Sequence, residues 1–324
     1  MRKVVLLGLC AIVVAGCGGG GSLGGGGGVG GSVSKYTVRD IGPIGFPDST
    51  ANFKVNGTGQ VAGVTREDFF TRSFFWNNGS RTYISGAVAE VYDINDSGQV
   101  VGSNGIQAFV WKNNTITWLA TPEDDTSCAY GISSDGKKVV GSINSNSGGS
   151  TATLWDDKNG DGSWTSNEIT SIGQGKAYAI NDSGQVAVLT NSHAAIWKNN
   201  SLTDLGSPMG SSYARGINNS GVIVGDYNLG SACIWQNGSI VNLDMLGDNT
   251  LGKAYGINNA RQVVGQISGE AVLWQDGHAY KLKDLIPAGS GWRLFEARDI
   301  NESGQIVGYG EFNGTHHAFL LTPK

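Results

Sequence analysis

The sequence predicts an all-β fold, a seven-bladed β-propeller with four antiparallel strands per blade, closed by the N-terminal strand pairing into the last blade. Three observations carry that expectation. A strand–turn–strand unit recurs seven times, and its turn residues lie 39, 38, 48, 37, 40 and 43 residues apart. Each copy is followed by a short apolar strand ending in a large side chain. The strand that would finish the last copy is missing from the C-terminal end, while an unmatched strand of the same pattern stands before the first copy. A period of this length marks a repeated supersecondary unit and takes precedence over any local motif.

The chain opens on "MRKVVLLGLCAIVVAGC". Arg2 and Lys3 precede an uncharged run, Val4 to Gly16, which is too short to span a bilayer comfortably and fits a signal-peptide core. Val14-Ala15-Gly16-Cys17 resembles the bacterial lipoprotein cleavage box, which implies removal of residues 1–16 and lipid on Cys17. More than one acyl chain anchors firmly, because burial is worth about 0.8 kcal/mol per methylene. Gly18 follows where an Asp would signal inner-membrane retention, so the resemblance implies an outer-membrane lipoprotein.

Residues 17–35 then read as the lipidated cysteine and a Gly-rich tether, "GGGGSLGGGGGVGGSVS" and its flanks. Glycine loses the most entropy on ordering, and a tether of this length spans roughly 20–25 Å. Loss of Arg2 and Lys3 takes the formal charge from −5 to −7, with no basic block in the remainder. Nucleic-acid binding by phosphate neutralisation is therefore not expected. Cys128 and Cys233 are left in the repeats; an exported chain permits a disulfide, but they fall in different copies and read as buried thiols.

The repeat domain is placed at 36–324. Its first strand, "YTVRDIG" at 36–42, has the pattern of a fourth strand. The seven copies follow: "FKVNGTGQVAG" at 53–63, "YDINDSGQVVG" at 92–102, "YGISSDGKKVVG" at 130–141, "YAINDSGQVAV" at 178–188, "RGINNSGVIVG" at 215–225, "YGINNARQVVG" at 255–265 and "RDINESGQIVG" at 298–308. Asn or Ser opens each turn, where it bonds backbone two residues on, and Gly closes it where a positive φ is cheap. Arg261 stands in that glycine's place in the sixth copy, so the loop there either changes type or stores strain. Val188 replaces the glycine that ends the second strand, and Lys138 adds a residue to the third copy. Arg215 and Arg298 take the slot that Tyr or Phe fills in the other five copies, and either line a binding face or snorkel beside the turn.

Third strands end at Trp76, Trp111, Trp155, Trp197, Trp235, Trp274 and Leu321, each with Ala or Ser three places earlier. The constant register reads as a small-to-large packing column between sheets, in preference to an aromatic ladder for sugars. Fourth strands such as "TITWLA" and "SIVNLD" complete six copies. A linear solenoid wants capped ends, whereas a ring completes its last sheet with the chain's first strand. About 41 residues per unit suits a four-stranded blade, and closure hides edges. No stretch sustains a 3.6-residue apolar period.

Repeated "INxSGQVVG … xAFxW" units behind an export signal resemble the probable extracellular repeat proteins of the HAF family. His317-Ala318-Phe319 matches the eponymous triad and Ala108-Phe109 keeps two of its positions. The resemblance covers 36–324 and implies an extracellular repeat protein; it brings no catalytic residue or cofactor.

"DKNGDGSWTSNE" satisfies D-x-[DN]-x-[DN]-G-x5-E, with Asp157, Asn159 and Asp161 as alternate oxygen donors, Gly162 at the turn and Glu168 at the twelfth place. Such a set can wrap calcium. The loop joins two strands, though, and Trp164 sits where a smaller residue is usual, so a metal-free hairpin tip is the other reading. His193, His278, His316 and His317 offer a three-histidine centre only if the ring brings homologous positions together around its axis, and His316 and His317 should face opposite ways on one strand. No nucleophile elbow, Cys pair or phosphate loop occurs, and no acidic pair stands out as acid and base. The expectation is a membrane-tethered extracytoplasmic binding or scaffold domain for a protein or an envelope polysaccharide. A carbohydrate-active hydrolase or lyase using the central depression and a purely structural surface protein are the alternatives. Converging acidic residues or histidines within about 6–9 Å at one end of the channel would favour the enzyme, and a charge-poor channel the binder.

Overall fold

The computed structural model describes residues 35–45, 52–67, 70–84, 90–247 and 251–324. The signal, Cys17 and residues 17–34 of the tether lie outside the described residues. The chain divides into two units, Met1–Ser32 and Val33–Lys324, and every described residue belongs to the second.

The described residues form seven sheets of four antiparallel strands, the propeller expected from the repeats. Six sheets are consecutive in sequence; the seventh takes its outer strand, Tyr36–Pro43, from the start of the domain. That strand runs antiparallel to Thr315–Pro323 with Tyr36 opposite Pro323, Val38 opposite Leu321 and Gly42 opposite Ala318. The ends meet: the Lys324 amide donates to the Lys35 carbonyl at 2.9 Å, and the Tyr36 amide to Leu285 at 2.8 Å. Regular helix is confined, among the described residues, to two 3-10 turns, Ser166–Glu168 and Leu282–Asp284.

Numbering blades 1–7 in chain order, the first strand of each lies at the axis: Phe53–Val55, Glu90–Ile94, Thr126–Ile132, Lys176–Ile180, Ser212–Ile217, Gly252–Ile257 and Trp292–Ile300. The third-strand register is a packing column. Trp76, Trp111, Trp155, Trp235, Trp274 and Leu321 are buried and Trp197 half-buried, each among aliphatics of its own and a neighbouring blade. Cys128 and Cys233 are buried free thiols. Burial pushes the Cys128 thiol up to about 11, so neither its chemistry nor its place is that of a nucleophile.

The turn glycine's absence in blade 6 does not change the turn. The Arg261 amide bonds the Asn258 carbonyl at 3.0 Å, as the Gly98 amide bonds Asn95, and Arg261 takes φ +61° to do so. The sequence alternative of another loop type is thereby corrected: the loop keeps its form and holds a non-glycine residue in the left-handed region. Blade 3, with its extra Lys138, closes one residue later, from the Ser133 amide to the Lys138 carbonyl.

A second correction concerns the Tyr/Arg slot. Inner strands of blades 2–7 carry a bulge, as between Val91 and Asp93, so that Tyr92 opposes no residue of the second strand. Blade 1 pairs Phe53, Lys54 and Val55 without a bulge. Phe53 therefore occupies the register of Val91 and Ala129 and is buried in the core, not level with Tyr92. A bulge adds a residue to one strand only and re-aims its side chain, which is why equal spacing in sequence does not mean equal position here.

Candidate functional site

The axial space is divided into two cavities. The lower, about 270 Å³, is lined by the hairpin turns: Asn56, Asn95, Asn181, Asn218 and Asn301 with Asp93, Asp96, Asp182 and Glu302. Here the Asn that opens the turn in six of the seven copies explains itself. Its Oδ1 accepts amides two or four residues on, as Asn95 does from Ser97 at 3.1 Å and Gln99 at 3.0 Å. Its Nδ2 donates to the backbone carbonyl of the next blade: Asn56 to Asn95, Asn181 to Asn218, Asn218 to Asn258, Asn258 to Asn301 and Asn301 to Asn56, at 2.8–3.2 Å. Asn95 reaches Ser133 at 3.3 Å. The chain of bonds passes right round the axis and is interrupted only where Ser133 replaces Asn.

The carboxylates of this mouth are stitches as well. Asp96 accepts the Gly57 amide at 2.6 Å, Glu302 accepts the Asn259 amide at 3.1 Å, and Asp182 takes donors from Asn219 and Ser134. Each capped group belongs to a neighbouring blade, so these acids are committed to closure.

Between the cavities lies a charged layer. Lys54 of blade 1 sits between Asp299 of blade 7, whose Oδ1 is 3.7 Å from its Nζ, and Asp93 of blade 2. Asp299 also accepts the Val55 amide (3.1 Å) and Asp93 the Ile132 amide (3.0 Å), each across a blade junction. Burial opposes the charge on Lys54, but Asp299 and Asp93 outweigh it and raise its pKa above the ordinary lysine value. Burial pushes Asp93 up to about 6 despite Lys54, and raises Asp299 also.

The upper cavity, about 380 Å³, opens at the end where the inner strands begin. Its wall is the bulge register: Tyr92, Tyr130, Tyr178, Arg215, Tyr255 and Arg298, one from each of blades 2–7, with Lys54 as the floor and Glu90, Asn52 and Tyr213 nearer the mouth. Tyr92 and Tyr130 pack edge to face at 4.9 Å, and Tyr130 and Tyr178 tilt together at 5.2 Å. Arg215 and Arg298 both lie against Tyr255, at 5.4 and 4.5 Å from the ring centre. Each guanidinium is oriented by a carboxylate behind it: Arg215 Nε donates to Asp226 at 2.7 Å, and Arg298 Nη2 pairs with Glu296 at 2.6 Å. The Tyr92 hydroxyl donates to Glu90.

Of the residues expected from sequence, Arg215 and Arg298 line this cavity, with their guanidiniums against Tyr255. Lys54, Asp93, Asp299 and Glu90 were missed. The signal existed, since Lys54, Asp93 and Asp299 are charges in a register that holds Gly131, Ala179, Gly216 and Gly256 in the other blades.

The 157–168 loop stands at the outer side of blade 3, between its third and fourth strands, away from the axis. Asp157 is buried and accepts the amides of Gly160 (2.8 Å), Asp161 (3.1 Å) and Gly162 (3.0 Å). Asn159 donates to Asp161 at 2.8 Å, and Glu168 turns back to accept the Thr165 amide and hydroxyl at 2.9 Å. The four residues are brought into one loop, with the side-chain oxygens of Asp157, Asn159 and Asp161 and Oε2 of Glu168 engaged by donors of that loop. Among the described residues no group of three or more His, Cys, Asp or Glu side chains is placed to share a metal ion. The histidines are dispersed: His193 pairs with Asp204 at 3.0 Å, His317 with Asp40 at 2.8 Å beside Trp292, and His316 faces Phe295 from the other side of its strand.

No protein-family profile matches the chain, and no curated protein is similar to it in sequence. The HAF resemblance therefore rests on the quoted residues alone. Solved structures share the fold at low identity. The chain is similar to the extracellular domain of BT4673, assigned to the hybrid two-component systems, from B. thetaiotaomicron (TM-score 0.54, 10% identity, 88% of this chain), of whose chain it spans only 40%. It is similar to YCF48 bound to D1 peptide (TM-score 0.58, 9% identity, covering 90% of this chain and 96% of that one). It is also similar to a chain of the mitotic checkpoint complex (TM-score 0.52, 13% identity, covering 98% and 100%). These likenesses place the chain among β-propellers by fold.

Proposed function

We propose that the protein is an extracytoplasmic binding domain, tethered to the outer membrane through lipid on Cys17, that grips a protein or an envelope polysaccharide at the upper end of the propeller. The observation that carries the reading is the upper cavity, in which six of seven blades aim a tyrosine or an arginine at one axial space. Its neighbourhood also suits contact: Ile106, Met209, Leu229, Leu246 and Leu251 are exposed in connections at that same end. YCF48, a likeness in fold, is seen bound to a peptide, in keeping with a propeller used as a docking body.

The channel is neither charge-poor nor a gathering of free acids, so the choice between binder and enzyme turns on the state of its groups. Burial pushes Tyr255 up to about 12 and raises Tyr92, Tyr130 and Tyr178, so none is primed as a tyrosinate base. Lys54 is held protonated by its two carboxylates. Asp93, pushed up to about 6, is bonded to two backbone amides and lines the other cavity. The tyrosines and Lys54 are thus held in their protonated forms and suited to bind and orient, while Asp93, the one group here that titrates near 6, faces the lower cavity and its backbone donors.

The test is a binding screen of the full chain, purified in detergent, against envelope polysaccharides and envelope proteins, with Tyr178→Leu as the cavity variant. A ligand retained by the native chain and lost by the variant supports the reading. Retention by neither, or equally by both, removes the cavity from it. Cys17→Ala should release the chain from the membrane fraction, and continued membrane association would overturn the anchor. Calcium in the 157–168 loop remains a proposal supported by the motif: the ion would have to win Asp157 and Glu168 from their loop donors. A calcium-dependent rise in Tm that Asp157→Ala abolishes would support it, and no rise would dispose of it.

A further inference from the structure

The upper cavity has a charge of its own, distinct from that of the chain. Its surface presents Lys54, Arg215 and Arg298 against one carboxylate, Glu90, whereas the whole sequence is net negative. The acids that balance the two guanidiniums, Asp226 and Glu296, stand behind them and do not line the space. Asp226 is almost wholly buried, at 2% side-chain exposure, and bonds the Nε edge of Arg215. Among the described residues Arg215 makes no hydrogen bond beyond that one, and the residue lines the cavity. Arg215 and Arg298 lie on the same Tyr255 ring, so both forks are stacked, oriented and partly desolvated before a ligand arrives. Fixed guanidiniums of this kind recognise planar anions bidentately and lose little entropy in doing so.

Across the cavity from this pair stand Tyr92, Tyr130 and Tyr178, with their rings against one another. Aromatic faces give a large, rigid and amphipathic wall for a compact ring-shaped group. The space is blunt, stopped at the level of Lys54 by the Lys54–Asp299 pair and separate from the lower cavity. A blunt pocket takes a terminal or protruding group, not a chain passing through. Its volume of about 380 Å³ lies in the range of small-ligand sites.

Resting on the binding reading above, we propose that the cavity takes the carboxylate-bearing ring of an acidic sugar, a uronate of an envelope polysaccharide, with the ring against the tyrosines and the carboxylate on the opposite, arginine side, at the guanidiniums that flank Tyr255. A peptide's terminal carboxylate would satisfy the arginines but bring no pyranose C–H face to lie against the tyrosine wall. A free anion such as phosphate would use the charge and none of the wall.

The test is calorimetry of the full chain in detergent at low salt. The probes are galacturonate, glucuronate and mannuronate oligosaccharides, the same sugars with their carboxyls reduced, short peptides with a free C-terminus, and inorganic phosphate. At least one uronate series should bind tenfold or more tighter than its reduced form, weaken with salt and resist competition by phosphate. Arg298→Gln and Tyr178→Leu should each weaken it about tenfold or more. Arg298→Gln leaves Glu296 without its partner and can unsettle the fold, so Tyr178→Leu and the comparison of native and reduced sugars decide independently. Equal binding of reduced and native sugars, or binding of peptide alone, overturns the uronate assignment while the binding domain stands. Displacement by phosphate at equal concentration overturns it as simple anion capture. If no probe binds and Tyr178→Leu leaves retention of envelope polysaccharide and protein unchanged, both readings fail together.

Discussion

Asn258 shows how much a single side chain of the repeat does. It is 1% exposed, accepts the Gln262 amide at 3.0 Å, and donates to Gln262 Oε1 at 2.8 Å and to the Asn301 carbonyl of the next blade at 3.1 Å. Asn258→Ala leaves a buried amide and a buried carbonyl unpaired, each costing about 1–3 kcal/mol, so a loss of about 2–4 kcal/mol is expected in urea unfolding. A loss below about 0.5 kcal/mol would show that the axial bonds are replaced by water. Asp93 belongs to the same scale and carries a pH signature. Its carboxyl ionises near 3.8 when unfolded and near 6 when folded, so the folded state binds the extra proton between those values. Stability from this group is present below the lower value and is lost as pH rises through the upper one, by an amount on the order of 3 kcal/mol. Asp93→Asn abolishes that loss. The stability difference between variant and native chain should shift in the variant's favour from pH 4 to 7, as read by unfolding at each pH; a flat difference would mean Asp93 titrates normally.

The second strands show why the repeat ends in glycine and why one copy does without it. A Cβ on Gly225 would stand 1.8 Å from the Tyr213 carbonyl oxygen, and one on Gly265 1.9 Å from that of Lys253. Blade 4 holds Val188 in this register. There the close approach has moved to Gly175, at φ +125°, where a Cβ would stand 1.9 Å from the Leu189 carbonyl. Gly225→Ala should therefore cost about 2–4 kcal/mol in urea unfolding by backbone clash, and a loss below about 0.5 kcal/mol would refute the clash. This element also marks the limit of what the residues reveal in advance. Strand order, the tryptophan column and the closing strand are legible, because apolar alternation and turn chemistry repeat with the period of the fold. The bulge is not, since it changes register without changing spacing, and so Phe53 is read level with Tyr92 when it lies in the core. The cavity wall stays hidden for the same reason: Lys54 comes near Arg298 only when blade 7 meets blade 1, a contact between residues 244 positions apart.

At the scale of the whole molecule, everything on the axis depends on that one junction. Blade 7 meets blade 1 through the Asn301–Asn56 bond, the Asp299–Val55 bond and the Lys54–Asp299 pair. Blade 7 itself is a complete sheet only because Tyr36–Pro43 pairs with Thr315–Pro323, covering Phe319 and Leu321 and burying Tyr36. Without that strand the sheet would end on the edge of Thr315–Pro323, with a row of unpaired backbone groups beside apolar side chains. Deleting residues 36–43 should then lower stability by several kcal/mol, about the worth of one outer strand's ladder and the burial of Tyr36 and Ile41. The loss should fall most heavily on the upper cavity, whose Lys54 and Arg298 come from the two blades at the junction. A synthetic peptide of sequence YTVRDIGP supplied in trans offers the same edge pairing by strand addition. It should restore Tm in a concentration-dependent way, while a scrambled peptide should not. A truncated chain as stable as the native one would mean that the ring is held by the blade interfaces alone and that the closing strand contributes nothing to the geometry of the cavity.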